Sequence, residues 1–246
     1  MTVIYKLAII GFGNVGQGLA KILADKSRDL KDKFGVDIQI VAVCDMYKGS
    51  IADPNGIDPT LLLDAMQTEG SISAIETQYS GWDAMETINK SGADILVELA
   101  YTDLKTGEPA VTHLKQALSN GMHVSTTNKG PVALHFPELR KLSKQNNVQI
   151  GIEGTVMSGT PSLYLGREML QVAGIRCIKG ILNGTTNYIL CEMEKGNSYQ
   201  DALKQAQELG YAEANPEGDV EGHDAAAKVV ILGNLFMGLD ISLKKH

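Results

Sequence analysis

The chain is sparing with cysteine, with positive charge and with long apolar runs. Its three cysteines, Cys44, Cys177 and Cys191, are odd in number and show no C-x-x-C spacing. That excludes a disulfide framework and fits a reducing, cytoplasmic compartment. No apolar run approaches the ~18 residues of a membrane span. The opening MTVIYKLAIIGFGNVG has neither the basic region nor the small-residue cleavage site of a secretory signal, so none is expected. Lys and Arg number 22 against 29 Asp and Glu, a net charge of −7. That balance disfavours nucleic acid and anionic membrane as partners but leaves room for a phosphate held at a local site. No H-E-x-x-H and no Cys/His cluster is present, which argues against a transition-metal centre. Met157-Ser158-Gly159 is not a G-x-S-x-G nucleophile elbow. There is no internal repeat, low-complexity tract or heptad array.

What is present is ordinary for a globular protein: 43% apolar and 21% charged residues. At ~150 residues per domain, a chain of 246 residues makes one large domain or two small ones. Up to about residue 150, short apolar runs alternate with longer amphipathic ones, the pattern of βαβ units around a parallel sheet. Strands are predicted over 3–10, 38–44, 95–99, 122–125 and 148–152. Helices are predicted over 16–26 and 60–67, from Pro109 to a stop at Gly121, and over 136–145. Residues 46–80 are otherwise irregular, with turn signals at Asp53-Pro54-Asn55-Gly56 and Asp58-Pro59. After Glu153 the texture changes. A helix over 162–172, a strand over 175–182 and a helix over 199–209 follow, the last opened by Ser198 with Asp201 and closed by Gly210. A polar loop over 211–222 precedes a final apolar helix over 223–237. The expected fold class is α/β: a Rossmann-type doubly wound parallel sheet over 1–152, followed by an α+β domain over 153–246.

The sharpest signal is Gly11-Phe12-Gly13-Asn14-Val15-Gly16, set between a predicted strand and a predicted helix as a dinucleotide fingerprint requires. Gly11 allows a tight turn, Gly13 lets the backbone approach a pyrophosphate, and Gly16 lets the helix pack on the strand. The pyrophosphate then meets N–H groups at the helix start. Asp45 ends the second strand, where an acid accepts hydrogen bonds from the adenine ribose, an NAD-type feature. Lys48, three residues on, can instead pair with a 2′-phosphate, an NADP-type feature, and the spacing leaves both open.

Three further blocks are less specific. Ser125-Thr126-Thr127-Asn128-Lys129-Gly130-Pro131 places Lys129 past a strand, where open sheets bind ligands, although a solvated loop lysine reads equally well. Asn183-Gly184-Thr185-Thr186-Asn187 offers amides, hydroxyls and close backbone at a strand-to-helix junction, and is also compatible with a simple helix cap. Glu213, Asp219, Asp224 and Lys228 gather near the last helix, with Asp224 and Lys228 on one face at i, i+4. They read as a surface ion pair or as groups that bind an amino acid's ammonium and hydroxyl. The apolar run that follows favours the second reading. His113, His123 and His135 are scattered and carry no pattern.

In this order these blocks resemble homoserine dehydrogenases, from residue 3 to about residue 237. The matching motifs are GFGNVG, LKTGEPA, HVSTTNKGP, IEGTVMSGTP, ILNGTTNYIL and ELGYAEANPEGDVEGHDAAAKVVIL. The last two are specific to the family; the glycine fingerprint alone is not. The resemblance implies an NAD- or NADP-dependent oxidoreductase of amino-acid biosynthesis that interconverts L-homoserine and L-aspartate 4-semialdehyde. It makes residues 153–246 the substrate-binding and dimerisation domain. It implies that Gly11, Phe12, Gly13, Asn14, Val15 and Gly16 hold the pyrophosphate, with Asp45 and Thr102 as further cofactor contacts, and that Lys129 lies between nicotinamide and substrate. Glu213, Asp219, Asp224, Asn183, Gly184 and Thr185 would hold the substrate, and Lys228 would give a proton to the aldehyde oxygen. Glu153, Val156, Ser158 and Thr160 match a sodium or potassium site built largely from main-chain oxygens. The implied partners are a small amino-acid substrate and a second copy in a homodimer, with no nucleic acid and no membrane.

The implied chemistry is coherent. Hydride goes to the aldehyde carbon, and the alkoxide that grows there needs a proton, which a lysine ammonium supplies while stabilising the charge. Two departures from the family stand out. Ala100-Tyr101-Thr102 replaces a pattern in which Thr or Ser lies nearer the strand end. The chain also stops at His246, before a segment that completes the substrate domain in the family, so that domain is expected to be incomplete. Two other readings stay open: a non-catalytic or truncated dinucleotide-binding form with a regulatory or scaffold role, and a dehydrogenase for another small amino acid or aldehyde.

Overall fold

The computed structural model describes residues 2–101, 103–170, 172–213 and 215–243. It divides into two compact units, Met1–Pro131 with His135–Ile152, and Val132–Leu134 with Glu153–His246.

In the first unit, seven strands among the described residues form one sheet: β1 Val3–Ile10, β2 Val36–Asp45, β3 Gly49–Ile57, β4 Tyr79–Ser80, β5 Ile95–Glu98, β6 His123–Thr126 and β7 Ile150–Gly151. The helices are α1 Asn14–Phe34, α2 Pro59–Thr68, α3 Ala84–Lys90, α4 Ala110–Ser119 and α5 Lys129–Gln145. Side chains of β1 alternate between two cores. Leu7 and Ile9 pack with Ala20 and Leu23 of α1 and Leu62 of α2. Ala8 and Ile10 pack with Ile88 of α3, Leu114 and Leu118 of α4, and Leu139 of α5. Successive strand residues face opposite ways, so a strand covered on both faces must be apolar throughout, and residues 7–10 are.

The strand order is β4-β3-β2-β1-β5-β6-β7. The chain runs outward from β1 to β2 on one side and returns at β5 on the other, both parallel to β1. Ligands of open α/β sheets bind beyond the strand ends at such a reversal.

The sheet is mixed rather than wholly parallel. β3 runs antiparallel to β2, and β4 antiparallel to β3. Asp53-Pro54-Asn55-Gly56 reads as a turn but lies within β3. The register slips there: Ala42 faces Ala52 while Ile40 faces Ile57, so β3 carries extra residues that bulge. Proline, which lacks an N–H, is tolerated in a bulge.

Helix α1 runs to Phe34, well past the predicted end at residue 26. Its tail is mostly polar, with Leu30 still packed against the core, and it is laced by i, i+4 pairs such as Lys33–Asp29 at 3.4 Å and stopped by Gly35 at φ 65°. Helix α5 starts at Lys129 rather than at 136. The Asn128 side chain caps it by accepting from the Gly130 N–H, and Pro131 sits in the first turn, where its missing N–H is not needed. Helix α3 is absent from the sequence reading, yet Asp83 and Glu86 open it with a reciprocal capping box.

The second unit contains α6 Gly154–Met157, then α7 Ser162–Tyr164 continued by a π-helical turn Leu165–Met169, then α8 Gly184–Glu194, α9 Tyr199–Glu208, α10 Glu217–Val220 and α11 His223–Phe236. Ile189 of α8 packs on Ala202 and Ala206 of α9. The Ser198 hydroxyl accepts from the Asp201 N–H at 3.1 Å as an N-cap. The strand expected over 175–182 is not formed, and residues 176–181 are all exposed. A strand needs a neighbour for its N–H and C=O groups, and among the described residues the second unit is helical rather than α+β. The helix expected over 162–172 ends at Met169. No helix of the described residues is long and apolar enough to cross a membrane.

The two-sided core fixes where the first unit is vulnerable. Leu96→Ala, at a fully buried β5 position, should lower the unfolding free energy by about 2–5 kcal/mol. Ile22→Ala, at a site 57% exposed on α1, should change it by less than about 0.5 kcal/mol. Urea denaturation followed by circular dichroism checks both.

Candidate functional site

β1 ends at Ile10 and α1 begins at Asn14, so Gly11, Phe12 and Gly13 make the whole turn. Gly11 has φ 90°, a conformation that a Cβ disfavours, and a Cβ there would strike the Leu99 carbonyl past β5. At Gly16 a Cβ would come within 2.7 Å of the Gly11 oxygen. At Gly13 a Cβ would meet nothing within 4 Å. The fold therefore demands Gly11 and Gly16 but not Gly13, as expected where bare backbone faces a ligand. Gly13 is the N-cap of α1 and no side chain caps that end, so the helix starts with its N–H groups beside open space. These features fit a pyrophosphate. Phe12 does not offer its ring to a ligand: the ring is buried in the α1-side core. Asn14 and Val15 are exposed on the first turn.

Asp45 ties this turn to β2. Its Oδ2 accepts from the Phe12 N–H at 2.7 Å, and its Oδ1 accepts from the N–H groups of Tyr47 at 2.9 Å and Lys48 at 3.1 Å. Partial burial alone would raise its pKa, but these three bonds and the Lys48 charge outweigh burial and hold it below the ordinary carboxylate value. The stabilisation is thus present above the ordinary carboxylate pKa and is lost as pH falls through the lowered one. A carboxylate has about four acceptor positions, so Oδ2 keeps one for a ribose hydroxyl. The Lys48 ammonium donates to the Phe12 carbonyl at 2.8 Å and so straps the turn rather than standing apart as a phosphate ligand.

Beyond β5, Tyr101 is 82% exposed, and Thr102 lies outside the described residues. Lys129 is the first residue of α5 and is half-buried. Its neighbour Asn128 is buried and donates to the carbonyls of Ala100 at 3.3 Å and Tyr101 at 2.9 Å, which joins the two loops.

The second unit gathers four of its predicted residues. Lys228, 9% exposed, donates to Asp224 Oδ2 at 2.7 Å and to the Leu182 carbonyl at 2.5 Å. The Asn183 amide donates to Asp219 Oδ1 at 2.7 Å and to Asp224 Oδ2 at 3.0 Å. Its oxygen accepts from the Thr186 N–H at 2.8 Å, so Asn183 caps α8 and bridges the carboxylates at once. Thr185 is buried and donates to the Tyr211 carbonyl at 2.6 Å, which fixes the loop before Glu213. Gly184 opens α8 and is exposed. Glu213 is also exposed, and among the described residues this network does not include it.

The four residues matched to a cation site divide. Both Glu153 carboxylate oxygens accept backbone N–H groups, from Leu163 at 2.9 Å and Tyr164 at 2.7 Å, so this side chain caps α7. The Thr160 carbonyl accepts from the Ser162 N–H at 2.7 Å. Ser158 has φ 52°, a positive-φ backbone between Val156 and Thr160. Main-chain oxygens are the donors this segment offers to a hard cation.

Sequence reasoning misses the Leu182 carbonyl, which no side-chain pattern announces, and Glu98, a buried acid closing an otherwise apolar strand. That acid in an apolar run is the signal that could have found it.

Two family models match the chain: "Homoserine dehydrogenase, NAD binding domain" over residues 11–153 and "Homoserine dehydrogenase" over residues 161–246. The NAD(+)-dependent homoserine dehydrogenase of Pseudomonas canavaninivorans is 44% identical over 94% of this chain, which spans 65% of that protein. A putative homoserine dehydrogenase from Archaeoglobus fulgidus superposes with a TM-score of 0.86 at 37% identity, covering 97% of this chain and 70% of that one. A hyperthermophilic archaeal homoserine dehydrogenase in complex with NADPH superposes with a TM-score of 0.85 at 33% identity, covering 96% of this chain and 71% of that one.

The glycine geometry separates binding from folding. Gly13→Ala should leave the melting temperature within about 2 °C of the parent and weaken dinucleotide binding at least about tenfold. Gly11→Ala should lower the melting temperature by about 4 °C or more, because strain and a backbone clash fall on the fold itself. Thermal melts and calorimetric titration with NAD+ check the pair.

Proposed function

The chain belongs to the homoserine dehydrogenase family, and from that premise we propose that it interconverts L-homoserine and L-aspartate 4-semialdehyde with a nicotinamide dinucleotide. The observation that carries this reading is the pair of buried Lys228 and half-buried Asp224, joined through Asn183 to Asp219. It brings an ammonium and two carboxylates from two helices together through an asparagine that caps a third, which is what a hydroxy amino acid needs.

In this reading Asp219 and Asp224, with Glu213, hold the substrate ammonium. Asn183 sets the first two carboxylates facing one hydrogen-bond donor, and Thr185 secures the loop that brings Glu213. Lys228 carries the proton at the substrate oxygen, aimed by Asp224 and the Leu182 carbonyl. Lys129 is the second ammonium assigned to the reaction. In the first unit Gly13 and the start of α1 hold the pyrophosphate, and Asp45 the adenine ribose. The bound dinucleotide supplies the hydride donor or acceptor.

The preferred cofactor in this proposal is NAD+. Asp45 is fixed and ionised where the ribose would lie, and a 2′-phosphate there would face like charge at short range. Lys48, the cation that could offset it, is engaged at the Phe12 carbonyl. A sodium or potassium ion is assigned to the main-chain oxygens of Glu153, Val156, Ser158 and Thr160, supported by the positive-φ backbone at Ser158. Self-association is assigned to residues 175–182, where Ile181 is 68% exposed on a segment outside any strand. Free thiols at Cys177 and Cys191, both exposed, support a cytoplasmic setting.

The test is the rise in near-ultraviolet absorbance of reduced nicotinamide on adding L-homoserine to the purified chain at mildly alkaline pH. A homoserine-dependent rise is expected, and Lys228→Ala should lower kcat by about 10²–10⁴-fold. Folded protein that binds dinucleotide yet gives no homoserine-dependent rise overturns the reading. In the same assay kcat/KM for NAD+ should exceed that for NADP+ by about tenfold or more, and Asp45→Ser should narrow that ratio.

A further inference from the structure

Glu98 is the last residue of β5 and its side chain is fully buried, yet no role assigned above uses it. An acid in that position needs partners, and it finds them on three elements. Its Oε1 accepts from the Ala100 N–H at 3.2 Å, within the loop that follows β5. The same oxygen lies 3.5 Å from Nδ1 of His113, a buried residue of α4. Its Oε2 lies 3.4 Å from the Thr126 hydroxyl at the end of β6, and that hydroxyl also donates to the Glu98 carbonyl at 2.9 Å.

The Thr126 hydroxyl passes the constraint onward by accepting from the Asn128 N–H at 2.9 Å. Asn128 returns it, donating to the Ala100 and Tyr101 carbonyls while accepting from the Gly130 N–H at 3.2 Å. The result is a closed circuit. One carboxylate determines where the loop after β5 lies and where α5, and with it Lys129, begins. The loop after β5 also borders the glycine turn. Leu99 donates its N–H to the Ile10 carbonyl at 2.7 Å, and the Leu99 carbonyl is the atom that leaves no room for a Cβ on Gly11. Glu98 thus sits behind the crevice where the strand order reverses.

We propose that Glu98, with His113 and Thr126, is the positioning residue of the dinucleotide crevice, acting through Ala100 and Asn128 rather than by touching the ligand. The proposal rests on the dinucleotide reading of the glycine turn. What it requires at Glu98 is hydrogen-bond acceptance. Glutamine keeps one acceptor oxygen, and its amide can donate to the Thr126 hydroxyl, so the circuit survives. Methionine has nearly the same shape and accepts almost nothing, which strands the Ala100 N–H in the interior.

The experiment compares Glu98→Gln and Glu98→Met with Leu96→Ala, a core variant on the same strand that lowers stability without touching the circuit. Calorimetric titration with NAD+, the kinetic constants for NAD+ and L-homoserine, and hydrogen exchange by mass spectrometry are read on each. For Glu98→Met the NAD+ Kd should rise about tenfold or more, with KM for homoserine changed by less than about twofold. Exchange should rise together in 98–101 and 126–131. Glu98→Gln should restore NAD+ affinity to within about threefold of the parent, and Leu96→Ala should keep it despite a lower melting temperature. The proposal is overturned if Glu98→Met binds NAD+ like the parent, or if Leu96→Ala loses as much affinity. A parent chain that binds neither NAD+ nor NADP+ overturns the dinucleotide reading along with it. Parent binding with unchanged affinity in Glu98→Met overturns the positioning role alone.

Discussion

The turn between β1 and α1 cannot hold its own shape. Two of its three residues are glycines, and the residue that closes on it, Gly16, is a third. Its form is imposed from both sides. From the end of β2 and the turn after it, Asp45 takes the Phe12 N–H and Lys48 takes the Phe12 carbonyl, so one peptide group on either side of Phe12 is fixed by a charged partner. From β5, the Leu99 carbonyl packs against Gly11 so closely that only a glycine fits. The Phe12 ring, anchored in the core, keeps the turn from lifting. Everything attributed to the first unit follows from this constraint, because a helix N-terminus binds an anion only if its first N–H groups are held in place. The alternating core of β1 and the reversal of strand order set the stage, and charged hydrogen bonds fix the last few ångströms.

The polar centre of the second unit follows a different logic. Burying Lys228 and half-burying Asp224 and Asp219 is unfavourable unless each finds partners, and such clusters add less to stability than apolar packing would. Here one asparagine and one main-chain carbonyl are among the partners. Asn183 both caps α8 and bridges the carboxylates, so the start of a helix and the site are one construction.

Much of this was legible in the sequence, for identifiable reasons. The apolar run of β1, the glycine spacing after it and the Ser198 cap are local signals, and local geometry realises them. Asp224 and Lys228 were legible because helical spacing alone puts them on one face. What stayed hidden depended on distant partners. β3 reads as a turn because its Asp53-Pro54-Asn55-Gly56 segment is a bulge that only pairing with β2 makes a strand. The tail of α1 is dense in Lys, Arg and Asp, and the single core contact of Leu30 that keeps it helical is hard to see among them. The start of α5 is obscured by Pro131, harmless in a first turn. Residues 175–182 show the converse: a fair strand pattern gives no strand where, among the described residues, no neighbour pairs with it. Glu98 stands out in sequence only as an acid closing an apolar run; its partners Ala100, His113 and Thr126 are brought to it by the fold.

Direct transfer of hydrogen from substrate to dinucleotide is the central claim, and isotope tracing tests it with least inference. L-homoserine dideuterated at C4 is incubated with the chain and unlabelled NAD+, and the reduced dinucleotide is isolated and weighed by mass spectrometry. Hydride transfer requires one deuterium in the reduced nicotinamide for each aldehyde formed. Reduced nicotinamide without deuterium, or aldehyde formed without reduced nicotinamide, would contradict it.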